Sequence, residues 1–332
     1  MKEEYSCPCR DFDPDHFIEN EEVIKLIETK KKYKFKEEDY LRLYNCVHCN
    51  SCGTAEERFI LKEKFLRDGN SIEGLDEVIA TFRECGTPYR YNKSRIKPIE
   101  GVKKESSTLL YLGCFTTVKT PQYGENVIRY LLKENISFCI LEEEICCGYP
   151  ILCTGKIDVY DEFVEKNLKL FKKKGFKKII TACPSCYMVF NKHYSEHGFE
   201  VKYFTEYLKP SKKKKTGNLI IQHACPLKNG EIPGIADDME TLYNESGYNV
   251  LREVPRNCIG LGIGHQLRTE ISEAIAKDRM QDFKEERGFL KNLQEGDNFI
   301  TSYCPDAFWA LRAYGRKESI KFKPRDMCDL LL

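Results

Sequence analysis

The sequence predicts an α + α/β protein: an α-helical N-terminal segment followed by two α/β repeats built on mainly parallel sheets. Three observations carry this. Residues 1–100 show apolar residues at helical spacing and little strand signal. From residue 108 short apolar strands alternate with amphipathic helices, the pattern of βαβ units. That pattern restarts after PSKKKKTG at 210–217, with cysteines at matching places in both halves.

In the N-terminal part, EEVIKLIETKKKYKF, EDYLRLYNCVHC and GLDEVIATFRECG read as helices, and YNKSRIKPIEGVKKESS reads as a linker punctuated by Pro98 and Gly101. In the first repeat TLLYLGC is a strand, PQYGENVIRYLLKEN a helix, ISFCILEEEICCG a strand and loop, 157–175 a helix, KKIITAC a strand and PSCYMVFNKHY a helix. In the second, NLIIQHACPL is a strand, 235–246 a helix, YNVLREV a strand, NCIGLGIG a loop, ISEAIAKDRMQDFKEE a helix, NFITSYCPD a strand and AFWALRAY a helix. The units expected are 1–100, 106–211 and 217–332.

Net charge is +1, so no global imbalance points to nucleic acid or to a membrane surface. The lysine run at 212–215 reads as a solvated linker. No apolar run approaches the roughly 20 residues that span a bilayer, and the acidic N-terminus lacks a signal-peptide core, so a cytoplasmic protein is expected, any membrane association passing through a partner.

Cysteine is the outlier, with 17 residues, an odd count in a chain too long for a small stapled domain. Three stand in CVHCNSC, as Cys46, Cys49 and Cys52. Thiols spaced by two residues converge from one tight loop, which is the opening run of a bacterial-type ferredoxin site. Cys85 in FRECGTP is the candidate fourth ligand of a 4Fe-4S cluster, a structural zinc on the same four cysteines being the alternative. Cys7 and Cys9 near the terminus are expected in an inert tail, a redox or metal accessory being the alternative, and Cys139, in an apolar strand, in the core.

The second set is Cys114, the adjacent pair Cys146–Cys147, and Cys183-Pro-Ser-Cys186, all at predicted strand ends, where open α/β sheets place their ligands. Two thiolates about 4 Å apart repel by roughly 1–4 kcal/mol, and iron between them turns the repulsion into coordination. Cys183-Pro-Ser-Cys186 alone also fits a thioredoxin-type redox motif.

Cys114, 31 residues, Cys146–Cys147–Gly148, 34 residues, then Cys183-Pro-Ser-Cys186 resembles the CCG cysteine-rich domain. That domain occurs in the B-type and D-type subunits of heterodisulfide reductase and in the iron–sulfur subunits of glycolate oxidase, anaerobic glycerol-3-phosphate dehydrogenase and thiol:fumarate reductase. CCGYPILCTG is similar to the family's Cys-Cys-Gly-x-Pro-Leu-x-x-Thr-Gly stretch, and an α-helical ferredoxin domain before two CCG repeats is its order of parts. The resemblance implies a second 4Fe-4S cluster on Cys114, Cys146, Cys147, Cys183 and Cys186, reducing a disulfide or handling a thiol substrate with electrons from the ferredoxin-type cluster. The alternative it implies is a non-catalytic subunit relaying electrons between a flavoprotein dehydrogenase and a quinone or membrane subunit. Flavoprotein, hydrogenase and membrane cytochrome are the partners to expect, and a zinc-stabilised interaction protein is the third class.

The sequence departs from the family twice. The second ferredoxin motif is missing, so one such cluster is expected. The second repeat keeps Cys225, Cys258 and Cys304 but has Ile259 and Ala307 at the other two ligand positions. Those three thiols suit a cluster with an open position, or a zinc completed by His223 or His265, or are residual.

Overall fold

The computed structural model describes residues 7–29, 33–91, 93–225, 227–252, 257–261, 267–284 and 293–332. Short helices fill the N-terminal part: α1 (Pro8–Phe12), α2 (Asn20–Glu28), α3 (Tyr40–Tyr44), α4 (Ala55–Arg67) and α5 (Leu75–Cys85). Val23, Leu26, Phe35, Leu43, Tyr44, Leu61 and Phe65 form their common core. Each such side chain, fully buried, contributes roughly 1.5–3 kcal/mol.

The first sheet has strands β1 (Thr108–Tyr111), β2 (Lys178–Thr181) and β3 (Glu200–Tyr203), parallel and in that order. The second has β4 (Asn218–Ile221), β5 (Asn249–Val250), β6 (Asn298–Thr301) and β7 (Lys323–Pro324), parallel in the order β5-β4-β6-β7. Around the first lie α6 (Cys114–Val118), α7 (Pro121–Lys133), α8 (Tyr149–Leu152), α9 (Ile157–Lys173) and α10 (Pro184–Tyr194). Around the second lie α11 (Ile235–Glu245), α12 (Thr269–Gln281), α13 (Pro305–Lys317) and α14 (Met327–Leu331).

The repeat is visible in the sheets. Cys139 makes isolated parallel bridges to Leu109 and Lys103, so it stands beside β1 where β5 stands beside β4. No longer strand forms across ISFCILEEE, because the chain leaves the sheet. The Glu144 carboxylate then takes the backbone N–H groups of Leu112 (2.8 Å) and Gly113 (2.7 Å), closing the end of β1. Both repeats start a helix on a Cys-Pro step, α10 after Cys183 and α13 after Cys304. Proline suits the first helical turn, where an N–H would lack a partner. Leu110 and Ile180 of the first sheet share a core with Leu219 and Ile221 of the second, so the repeats are fused through their strands.

Candidate metal centre

The CVHCNSC loop is bent by two non-glycine residues in left-handed backbone, His48 (φ 52°) and Asn50 (φ 58°). Such conformations are uncommon outside glycine and occur where the surrounding structure enforces them. Here they curl the chain around its own cysteines, and the His48 N–H points at Cys46 Sγ (3.4 Å).

Cys7 and Cys9 are brought to this loop. Both are buried, the Cys7 thiol bonding to Cys52 and the Cys9 thiol to Cys46, while the Val47 N–H donates to Cys9 Sγ (3.3 Å). They are core, packed with Val47, Cys49, Cys258, Ile271 and Ile275. This corrects the expectation of an inert tail: α1 packs on α12 of the second repeat, far along the chain. Cys85 sits elsewhere. It ends α5, and the carbonyl of the next residue, Gly86, accepts a hydrogen bond from Cys146 N (2.7 Å). No hydrogen bond among the described residues joins Cys85 to Cys46, Cys49 or Cys52.

In the first repeat Cys114 Sγ lies 3.6 Å from Cys146 Sγ, and contacts run on from Cys146 to Cys147, from Cys147 to Cys186 and from Cys186 to Cys183. All five are buried in one apolar cluster with Tyr111, Tyr149, Tyr160 and Phe163. Their crowding has an electrostatic signature. Cys146 is pushed far up by the neighbouring Cys114, Cys147 by Cys146, and Cys186 by Cys147, with burial adding to each. Thiols so close cannot all ionise in a dry site without a cation between them. At the CVHCNSC loop the pairs divide the charge: Cys7 is drawn down to about 3 by its bond from Cys52, Cys46 is drawn down by Cys9, and the partner thiols are pushed up.

A cavity of about 140 Å³ joins the two repeats. The five first-repeat cysteines border it, as do Cys225, Cys258 and Cys304 of the second repeat and Cys49 of the CVHCNSC loop. Cys258 packs with Cys49 in one buried cluster, with Cys225 against it, so the second repeat touches the N-terminal loop directly. Cys225 is drawn down to about 7 by its bond from Cys258, with Lys228 and Arg279 adding to the effect against burial. Cys304 faces Asp306 and Cys183 instead, and Asp306, buried, rises to about 7. Among the described residues no three His, Cys, Asp or Glu side chains close around a single-ion position. His223 lines the cavity, but its Nδ1 bonds Tyr303 Oη (3.2 Å) and its Nε2 bonds Glu240 (3.2 Å), which leaves no ring nitrogen for a metal. His265 and the GIG stretch at 262–264 lie outside the described residues.

Between the two thiol sets lies a buried ammonium. Lys62 on α4 bonds His48 Nε2 (2.6 Å) and the Cys153 carbonyl (2.9 Å), while the Tyr44 hydroxyl donates to the Thr154 carbonyl (2.8 Å). Burial holds the Lys62 ammonium below its ordinary pKa. No sequence motif signals this residue; only the packing of α4 on the CCGYPILCTG turn does. Cys139 and Cys328 are buried away from the cavity lining.

The cysteine-rich (CCG) domain family matches residues 108–191 and 219–312, together more than half of the chain. The chain belongs to this family. An uncharacterized iron-sulfur protein of Methanococcus maripaludis is 24% identical over 257 residues, covering 71% of this chain and 51% of that protein. One fumarate reductase (CoM/CoB) subunit, from Methanothermobacter marburgensis, is 24% identical over 262 residues, 72% of this chain and 52% of its own length. The D-type subunit of dihydromethanophenazine:CoB–CoM heterodisulfide reductase from Methanosarcina acetivorans is 29% identical over 297 residues, 79% of this chain and 70% of its own. The chain spans about half the length of the first two. These relatives are named as an iron-sulfur protein and as subunits of reductases, and this chain is related to them. No helix among the described residues is long and apolar enough to cross a membrane.

Proposed function

We propose that the protein is a heterodisulfide reductase-like oxidoreductase, with a ferredoxin-type 4Fe-4S site at the N-terminal loop and the chemistry at the first-repeat cysteines. The observation that carries this reading is the cavity: five mutually repelling thiols open onto it, and Cys49 of the N-terminal loop reaches the same space. The donor set fits the implied cofactor. It is all sulfur, enclosed by apolar and aromatic side chains, and needs positive charge to be stable. Bound there, an iron–sulfur cluster supplies one-electron steps and open iron for a substrate sulfur.

The residues have separable tasks. Cys114, Cys146, Cys147, Cys183 and Cys186 would hold the first-repeat cluster. Cys46, Cys49 and Cys52 would hold the ferredoxin-type one, with Cys7 rather than Cys85 as the fourth ligand, since Cys7 lies at Cys52 and carries the Cys-Pro step of that motif's fourth cysteine. Tyr149 and Phe115 wall the cavity against water. Electrons come from, or go to, a flavoprotein, hydrogenase or membrane cytochrome partner, through which the protein would also associate with a membrane. The eroded second repeat speaks for the other reading, a relay subunit without its own substrate.

Electron paramagnetic resonance of anaerobically prepared protein tests this. Oxidation in the presence of a small thiol should produce a paramagnetic signal absent without it. An ordinary reduced-cubane signal, unchanged by thiols, would leave only the relay.

A further inference from the structure

The second repeat keeps three thiols but not a ligand set. Ile259 and Ala307, both buried and apolar, stand where two more cysteines would complete it. Cys304 is turned towards Asp306 and Cys183, and His223 has both ring nitrogens engaged. What remains is a pair: Cys225 packs against the buried cluster that holds Cys258, and both line the wall of the cavity.

The pair is held together from outside. Gln222, at the end of the strand segment that carries Cys225, donates from Nε2 to the Asn257 carbonyl (2.9 Å) and so pins the Cys258 loop beside it. Its Oε1 accepts from Arg279 Nε (2.8 Å), and Arg279 is fixed in turn by Asp282 (2.7 Å). The two sulfurs differ in access: Cys225 is partly exposed, whereas Cys258 is buried and takes the Gly260 N–H on its sulfur (3.2 Å).

We propose that Cys225 and Cys258 are a redox-active dithiol, a disulfide-exchange site for a small disulfide entering the shared cavity. Cys225, as thiolate, attacks one sulfur of the substrate R–S–S–R′. The substrate bond breaks, R′S⁻ leaves and takes up the proton Cys225 gave, and a Cys225–S–R mixed disulfide forms. Cys258 then loses its proton and attacks the Cys225 sulfur, expelling RS⁻, which that proton neutralises. The products are RSH, R′SH and a Cys225–Cys258 disulfide, so the substrate gains the two electrons and two protons that the dithiol loses. The dithiol is restored by two electrons and two protons, the electrons coming singly from a donor of the ferredoxin or flavoprotein class. The contact of Cys258 with Cys49 sets this disulfide against the N-terminal loop.

The proposal rests on the preceding reading only for the source of those electrons, and its test does not need turnover. The full chain, isolated anaerobically, is equilibrated in glutathione buffers of stepped potential, its thiols are trapped with iodoacetamide, and its peptides are mapped by mass spectrometry. Cys225 and Cys258 should lose reactivity together, at one potential, and appear as one cross-linked peptide pair. Independent titration of the two, or cross-linking of either only to another cysteine, overturns the proposal. In Cys258→Ser, hydroxyethyl disulfide should leave a stable adduct on Cys225, while metal content stays that of the parent protein. Loss of stoichiometric iron or zinc in Cys225→Ser would show a ligand instead. Absence of a cluster from the first repeat would sink the preceding reading and leave this one standing.

Discussion

The two repeats run on the same topology and part at the same place. In each, the strand after the crossover helix ends in a Cys-Pro step that starts a helix. In each, the cysteine loop turns through a left-handed glycine: Gly148 (φ +91°) in the first, Gly260 (φ +79°) in the second. A Cβ at Gly148 would lie 2.9 Å from the Tyr160 ring, and one at Gly260 would lie 2.7 Å from Ile275 Cβ. The second repeat has therefore kept the tight turn after losing the cysteine beside it, Ile259 standing where Cys147 stands. The difference teaches that the turn is a requirement of the fold. The ligand set is a separate layer, which one repeat holds in full and the other does not.

The largest effect that would break this comparison is Cys147→Ser. It should abolish the thiol-dependent paramagnetic signal and lower the iron content, while the ferredoxin-type signal persists. Loss of both signals would mean that the sites are one unit. The converse change, Ile259→Cys with Ala307→Cys, should make the second repeat resemble the first and raise bound iron per chain after anaerobic reconstitution, as read by metal analysis.

The glycines come next. Gly148→Ala and Gly260→Ala should each cost about 1–3 kcal/mol from the left-handed backbone alone. Gly260→Ala should cost more, because its obstacle is a branched Cβ beside the Ser272 carbonyl and not the edge of an aromatic ring. Chemical denaturation midpoints would show the order, and equal costs would mean that the backbone conformation alone, and not the neighbouring obstacle, sets the penalty.

The smallest effect concerns Lys62; among the described residues of the second repeat the buried cation is Arg279. Lys62→Met strands the Cys153 carbonyl and His48 Nε2, at about 1–3 kcal/mol. Because burial lowers the Lys62 pKa in the folded chain, the unfolded chain binds more protons between that value and the ordinary lysine value of about 10.4. Stability then rises with pH through that window. The variant should flatten the rise, as measured by urea unfolding at stepped alkaline pH.

Much of the fold is legible in the sequence because its signals are local. Alternating apolar strands and helices, and cysteines at strand ends, reveal both repeats and the five-thiol set. ISFCILEEE misleads because its apolar half resembles a strand, while Glu144 serves as a side-chain plug for β1. The place of the N-terminal cysteines is hidden for a different reason. Cys7-Pro8 carries a Cys-Pro tag, but a distant partner, Cys52 of the CVHCNSC loop, and a packing surface on α12, cannot be read from spacing. Cys85 is favoured only as the remaining thiol of its segment, yet α5 carries it towards the Cys146 loop. Lys62 gives no signal, since a lysine in a charged helix normally faces water.

Gly155 closes the CCGYPILCTG stretch against the main chain of α4. A Cβ there would lie 2.7 Å from the Lys62 carbonyl carbon and 2.8 Å from Glu63 N. Beside it, the Thr154 and Cys153 carbonyls take hydrogen bonds from Tyr44 and Lys62. The N-terminal segment and the first repeat are thus matched at backbone resolution. Chimeras that exchange one of them with a relative will need α3, α4 and the Thr154–Gly155 turn to travel as a single cassette.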